Sequence, residues 1–316
     1  MDENKNEQID ENQHEYDNGF HPKEVHLKPN YVFYRKSIWY KFWNKFLIIL
    51  FRLIFFIPNY LFAGVRIKGK KNKKNIKGCM IVSNHVYPLD IFIILTALPT
   101  KRIYVTTLES NMGFGIVSTF FRDGGAVPIP TDSMLLRRFN RETPEVIKKG
   151  YSVIFYPEAA LIPYCDHIRN LLPGAFHYSY SSTKKIIPTV MTFHKPKGLY
   201  KLFRGKKPCL HYNILEPYYI EDLGNKRQSL EKAKNDVQKI MSDYFIKNSD
   251  YYYDENGNRN DTHIYHKVKK KKKNWDSAES QFFIFLNTLF QLSCLNITIM
   301  KYQILAIFLL FFLQIE

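Results

Sequence analysis

The fold is decided by Cys79-Met-Ile-Val-Ser-Asn-His-Val-Tyr-Pro-Leu-Asp90, a stretch that the apolar run Ile91 to Leu98 follows directly. Cys79 to Ser83 is short and apolar, which predicts a buried strand. The apolar run after Asp90 predicts a helix. Asn84 and His85 are therefore expected at a strand-to-helix corner, at the carboxyl end of a strand, where ligands of α/β proteins usually bind.

Two further residues of this corner suggest chemistry. Pro88 stands where a helix takes its first residue, because proline's missing N–H costs nothing there. Asp90 is then expected as the third helical residue, where the helix dipole favours an ionised carboxylate. An anionic Asp90 close to His85 would fix the imidazole tautomer and leave the other ring nitrogen to accept a proton from a hydroxyl. The alternative is a histidine that pairs with a carboxylate for structural reasons alone.

Apolar strands and helical stretches alternate through the middle of the chain. The predicted strands are 65–68, 79–83, 102–106, 126–129, 152–156, 186–191 and 210–215. The predicted helices are 91–98, 112–121, 133–140, a separate helix from Thr143-Pro144 to Lys149, 174–182, and a closing helix with Leu230, Ala233, Val237, Ile240, Met241, Tyr244 and Phe245 on one face. This rhythm predicts an α/β domain with a mostly parallel central sheet flanked by helices.

Four more motifs follow the His85 corner in order. They are Gly125-Ala-Val-Pro-Ile129, Val153-Ile-Phe-Tyr-Pro-Glu158, Leu172-Pro-Gly-Ala-Phe176 and Lys185-Ile-Ile-Pro-Thr-Val190. Together with Asn84 and His-x4-Asp, they resemble the signature of the glycerolipid acyltransferases, the 1-acylglycerol-3-phosphate (lysophospholipid) acyltransferase family. The resemblance runs from about Val65 to Phe193.

The resemblance implies a reaction and a site. The acyl donor would be a thioester, acyl-CoA or acyl-carrier protein, and the acceptor a lysophospholipid, above all 1-acylglycerol-3-phosphate. No cofactor and no metal are implied. His85 would be the general base, oriented by Asp90. The resemblance also gives the substrate-binding candidates Asn84, Pro157, Glu158 and Gly174. Arg169 is added to them as the best-placed cation, because it precedes Gly174 on the same loop.

The chain departs from the family pattern at two places. Pro-Glu is commonly followed in the family by glycine, a hydroxyl residue and arginine, but this chain has Ala159, Ala160 and Leu161. Pro130 and Thr131 stand where an arginine usually closes the second motif. An acceptor phosphate requires cationic donors, ideally a guanidinium. The arginines available nearby in the sequence are Arg169, Arg137, Arg138 and Arg141.

Composition favours an anionic partner. The formal net charge is +17 over 316 residues, and aromatic residues make up 16% of the chain. A membrane surface suits both features. Four cysteines without a Cys-x-x-Cys pair favour a reducing compartment, so we expect the cytoplasmic face of a membrane. The alternatives are a nucleic-acid-binding protein, suggested by lysine-rich runs at 68–77 and 267–273, and an inactive scaffold of the same fold. Oligomeric state is not predicted.

The segments around the catalytic domain have distinct compositions. Residues 1–30 are expected to be a disordered acidic tail and 62–247 the acyltransferase domain. Residues 248–275 are a polar, then polybasic linker, and 276–316 are an apolar segment that is either an extra anchor or has no catalytic role.

Residues 31–61 are expected to form an amphipathic, membrane-docking helix. Its predicted apolar face consists of Trp39, Phe42, Trp43, Phe46, Leu50 and Leu53. Lys41, Lys45 and Arg52 are expected on the opposite, cationic face. The alternative is a helix packed on the domain by its apolar face.

Overall fold

The computed structural model describes residues 24–57, 59–60, 64–87, 90–98, 103–113, 116–204, 207–253 and 259–260. Most of the predicted acidic tail, Pro88, the polylysine run and the C-terminal apolar segment lie outside the described residues.

A mixed but mostly parallel sheet forms the centre of the fold. Its strands are β1 (Arg66–Lys68), β2 (Met80–Ser83), β3 (Ile103–Leu108), β4 (Ala126–Ile129), β5 (Ser152–Phe155), β6 (Lys185–His194), β7 (Cys209–Ile214) and β8 (Tyr218–Tyr219). The order is β1-β7-β6-β2-β5-β3-β4, and β8 pairs with β6. Neighbours are parallel except β6 with β7 and with β8. The predicted α/β architecture is confirmed, and β2 lies near the middle of the sheet.

Helices connect and flank these strands. They are α1 (Ile38–Ile57), α2 (Asp90–Ala97), α3 (Ile116–Asp123), α4 (Ser133–Lys148), α5 (Phe176–Tyr180), α6 (Tyr200–Arg204) and α7 (Lys226–Asn248). A two-stranded ribbon of β9 (Tyr252–Tyr253) and β10 (Arg259–Asn260) follows. In the closing helix α7, Ala233, Val237, Met241 and Phe245 are buried as predicted, whereas Ile240 is 38% exposed.

The predicted break between two helices at Thr143-Pro144 is wrong. Helix α4 runs without interruption through Pro144. Thr143 does not cap a new helix. Its hydroxyl donates to the carbonyl of Phe139 one turn earlier, and it is hydrogen-bonded to the hydroxyl of Tyr34 at 2.7 Å. Thr143 and Pro144 are both buried, so packing outweighs the hydrogen bond that proline removes.

Helix α1 exposes a row of large apolar side chains. Trp39 is 82% exposed, Phe42 66% and Leu53 70%. A second apolar stripe, which includes Leu47 and Ile48, is buried. Within the described segments, no helix combines the length and the apolar character that crossing a bilayer requires.

The sequence predicts Arg52 on a solvent-facing, cationic side of α1, but in the structure its side chain turns towards α2. Its guanidinium donates to the carbonyls of Leu95 (2.9 Å) and Leu98 at the end of α2. These carbonyls have no partner within α2 and carry the negative end of its dipole. They therefore draw the arginine inward, and α1 packs against α2.

Candidate active site

His85 and Asp90 form a close pair at the corner after β2. Nδ1 of His85 lies 2.7 Å from Oδ2 of Asp90. The Asp90 side chain is 2% exposed, whereas that of His85 is 25% exposed. Asp90 is the first described residue of α2, and its N–H donates to the carbonyl of Tyr87. The predicted start of this helix at Pro88 lies outside the described residues. Because the carboxylate holds Nδ1–H, Nε2 is the ring nitrogen that carries the free lone pair.

Tyr156 completes this pair and was not predicted from the sequence. Its hydroxyl donates to Oδ1 of Asp90 at 3.2 Å, so both carboxylate oxygens have a partner. Its ring stacks on the imidazole of His85, with centroids 4.3 Å apart. Burial, and then the charge of Asp90, raise the pKa of Tyr156 well above its usual value, so the phenol stays a donor. The only sequence signal was its position immediately before Pro157-Glu158.

Glu158 and Arg169 form a buried ion pair directly beneath His85. Nη2 of Arg169 lies 2.9 Å from Oε2 of Glu158, and both side chains are buried. The guanidinium also donates to the carbonyl of Ala160. The carboxylate accepts the backbone N–H groups of His85 and Arg169, each at 3.2 Å. Glu158 therefore lies close to His85 as predicted, but the contact is between its carboxylate and the backbone N–H of His85.

These contacts engage Glu158 and Arg169 with each other and with backbone groups of the protein. Nε of Arg169 has no partner among the described residues, and binding of the acceptor by either residue stays a prediction. The sequence contains both Glu158 and Arg169, but it does not reveal that their side chains form an ion pair. The function of the pair in this structure is to fix the loop after β5 beneath the His85 backbone.

Asn84 is likewise engaged within the protein. Its amide donates to the carbonyl of Met191 at 3.1 Å and accepts the N–H of the same residue at 2.8 Å. It is fully buried. Asn84 therefore joins the end of β2 to β6, and its role in substrate binding stays a prediction.

Residues 64–192 match a family model described as Acyltransferase. This part of the chain is therefore similar to the acyltransferase family. A crystal structure titled as the 1-acyl-sn-glycerophosphate (LPA) acyltransferase PlsC from Thermotoga maritima is similar to this chain at 16% identity. The similarity covers 66% of this chain and 98% of that one, with a TM-score of 0.43.

The remaining substrate-binding candidates, Pro157 and Gly174, lie near the two ends of the segment between β5 and α5. Pro157 is buried, and its carbonyl accepts the N–H of Leu172 at 2.8 Å. Gly174 is exposed in a short 3-10 turn, and a Cβ there would meet nothing within 4 Å. Gly174 therefore borders open space, whereas Pro157 supports the loop.

Ala159 adopts a backbone conformation that favours glycine. Its φ is +64°, in the left-handed region, and the residue is exposed. The family that the sequence resembles commonly has glycine at this position. The left-handed φ explains that preference, because glycine adopts this conformation without strain. The turn is kept with alanine at a cost of about 1–2 kcal/mol.

The other arginines considered for the acceptor phosphate differ in availability. Arg138 is engaged with the N-terminal segment, where it donates to the carbonyls of Pro29 (2.9 Å) and Tyr31. Arg137 and Arg141 are exposed on α4. Helix α4 follows the edge strand β4, three strands from β2 in the sheet order β2-β5-β3-β4.

Proposed function

We propose that this protein transfers an acyl chain from a thioester donor, acyl-CoA or acyl-carrier protein, to the hydroxyl of a lysophospholipid. The acceptor that we favour is 1-acylglycerol-3-phosphate, which would give phosphatidic acid. The observation that carries this proposal is the 2.7 Å contact between His85 and Asp90, with the imidazole partly exposed, inside a domain of the acyltransferase family.

The proposed chemistry uses His85 as a general base. Nε2 takes the proton of the acceptor hydroxyl as the oxygen attacks the thioester carbonyl. The tetrahedral intermediate then expels the thiolate, which receives that proton from the imidazolium. Asp90 stabilises the imidazolium, and Tyr156 orients Asp90. The ester forms as the thioester breaks, so no acyl-enzyme is required.

Cys79 is a poor candidate for a covalent nucleophile. It is buried just before β2, and its Sγ lies 3.3 Å from Oγ of Ser152. Burial raises the pKa of this thiol above its usual value, which disfavours the reactive thiolate. This supports direct transfer from donor to acceptor.

The proposal places the protein at a membrane surface, on the cytoplasmic side. The exposed aromatic row of α1, with Trp39, Phe42, Trp43 and Phe46, suits the interfacial region of a bilayer. The described cysteines Cys79, Cys165 and Cys209 are free thiols, as in a reducing compartment.

The test is an acylation assay with labelled acyl-CoA or acyl-carrier protein and a panel of lysolipids that differ in head group. We expect labelled diacyl product with wild-type protein, and none with His85→Ala at an unchanged thermal unfolding midpoint. Turnover by His85→Ala near the wild-type rate would remove His85 from the mechanism. Absence of product with every donor and acceptor would favour the inactive scaffold. Product with neutral lysolipids alone would reject the phosphate-bearing acceptor.

A further inference from the structure

The connection between β6 and β7, residues 195–208, protrudes from the edge of the sheet that carries His85. Strands β2 and β6 are parallel, with Ser83 opposite Thr189. Beyond this pair β2 has ended, but β6 continues through Val190 to His194. At about 3.3 Å per residue, β6 extends roughly 16 Å past the end of β2.

Two leucines on this connection are strongly exposed. Leu199 and Leu202, beside and within α6, are 76% and 78% exposed. These values are close to those of Ile38 and Trp39 on α1, which are 83% and 82% exposed. A single exposed leucine requires no explanation, but here two lie within one short helical turn.

The protein holds this turn firmly. The Tyr200 hydroxyl donates to the carbonyl of Tyr60 at 3.0 Å and accepts a hydrogen bond from Arg66 at 2.9 Å. The backbone of Gly64, with φ +61°, passes so close that a Cβ there would lie 3.3 Å from the Tyr200 ring and 2.6 Å from Sγ of Cys209. The exposure of the two leucines is therefore fixed by the attachment of Tyr200.

Basic residues lie before and after the two leucines in the sequence. The sequence of the connection contains no Asp or Glu, and its basic residues are Lys195, Lys197, Lys201, Arg204, Lys206 and Lys207. Lys197 and Lys201 are exposed. Arg204 turns back on the connection and donates to the carbonyl of Pro208. Exposed leucines beside exposed lysines match a surface that is apolar inside and anionic at its head groups.

We propose that the β6–β7 connection is a lipid-contact element, separate from α1, that rests on a bilayer containing anionic phospholipid. Leu199 and Leu202 enter the head-group region, and Lys197 and Lys201 contact lipid phosphates. Tyr60, which anchors Tyr200, follows the end of α1 closely in the chain, so the connection is attached beside the end of a helix that exposes large apolar side chains. Exposed leucines together with exposed lysines favour a bilayer with anionic lipid over an acidic protein partner.

The inference rests on the proposed function only because it requires a lipid surface near His85. Its test measures binding to vesicles and does not depend on acylation. Full-length protein is sedimented with vesicles of phosphatidylcholine, with or without phosphatidylglycerol. We expect L199N/L202N to bind mixed vesicles at least tenfold more weakly than wild type, because two apolar side chains no longer leave water. We expect K197Q/K201Q to lose about tenfold of the preference for phosphatidylglycerol.

The matched control is L223N/I240N, which changes two apolar residues of comparable type outside the connection, 41% and 38% exposed. It should bind vesicles as wild type does, and all variants should keep the wild-type unfolding midpoint. Wild-type binding by L199N/L202N, or no vesicle binding by the wild-type protein, would overturn the proposal. Loss of binding to acyl-carrier protein by L199N/L202N, with vesicle binding unchanged, would assign the connection to a protein partner.

Discussion

Two hydrogen-bonded side-chain pairs, His85–Asp90 and Glu158–Arg169, are joined by one hydrogen bond at the end of β2, and they differ in which atoms they leave accessible. His85–Asp90 keeps a ring nitrogen without a partner among the described residues, on a side chain that is 25% exposed. Glu158–Arg169 is sealed, with side chains 0% and 1% exposed. A side-chain pair at a strand end can therefore act on a ligand only where one member keeps an accessible, unused atom.

The largest expected effect comes from Asp90→Asn. The amide can present its N–H to the imidazole and hold the wrong tautomer, so we expect kcat to fall by a factor on the order of 10⁴. The measurement is acyl transfer with the acceptor identified by the lysolipid panel. Circular dichroism should show an unchanged fold. A loss below tenfold would mean that Asp90 does not control the tautomer of His85.

The next effect concerns stability and the other pair. Arg169→Met leaves the Glu158 charge buried without its partner, so we expect the free energy of unfolding to fall by about 3–5 kcal/mol. Urea denaturation measures this. The control is Glu158→Gln/Arg169→Met, which removes both charges and should be clearly more stable than the single variant. Equal stability of the two variants would show that the ion pair is not what holds this loop.

A smaller effect is expected at Tyr156, whose side chain contacts both members of the His85–Asp90 pair. Tyr156→Phe keeps the ring on His85 but removes the hydroxyl that donates to Asp90. A hydrogen bond to a charged group contributes about 1.5–3 kcal/mol, so kcat should fall by roughly 10- to 100-fold. KM should stay within about twofold, because the hydroxyl is directed at Asp90. A change in KM alone would instead place Tyr156 in substrate binding.

The smallest effect is at Ala159, next to the sealed pair. Ala159→Gly relieves the left-handed backbone strain but adds freedom to the unfolded chain, so the net gain should be about 0.5–1 kcal/mol. Thermal unfolding should show a slightly higher midpoint, with Ala160→Gly as the control. Destabilisation by Ala159→Gly would mean that the turn is not strained.

Much of this fold could be predicted from the sequence because its strands are continuous apolar runs in a buried parallel sheet. The limits Ala126–Ile129 agreed with the structure, and other strands shifted by a few residues at their ends. The continuity of α4 could not be predicted, because Pro144 breaks helices locally and only the packing around it overrides that preference. The inward turn of Arg52 depended in the same way on the end of α2.

For the candidate site, the sequence indicated His85, Asp90, Glu158 and Arg169, but it indicated neither Tyr156 nor which atoms of these residues are engaged within the protein. His85 and Asp90 are five positions apart, so their contact follows from one local corner. Glu158 and Arg169 are eleven positions apart across an irregular loop, and Asn84 is paired with a strand more than a hundred positions away. Such distant pairings depend on the completed sheet, and spacing does not reveal them.

The single carboxylate that holds two backbone N–H groups, one on His85 and one on Arg169, has a consequence for engineering. It joins the backbone of His85 to the loop after β5, so the two segments are held together. A loop exchanged here for that of a relative would either shift the imidazole of His85 or remove the hydrogen bond that supports its backbone. Substrate range would therefore be redesigned by exchanging corner and loop together.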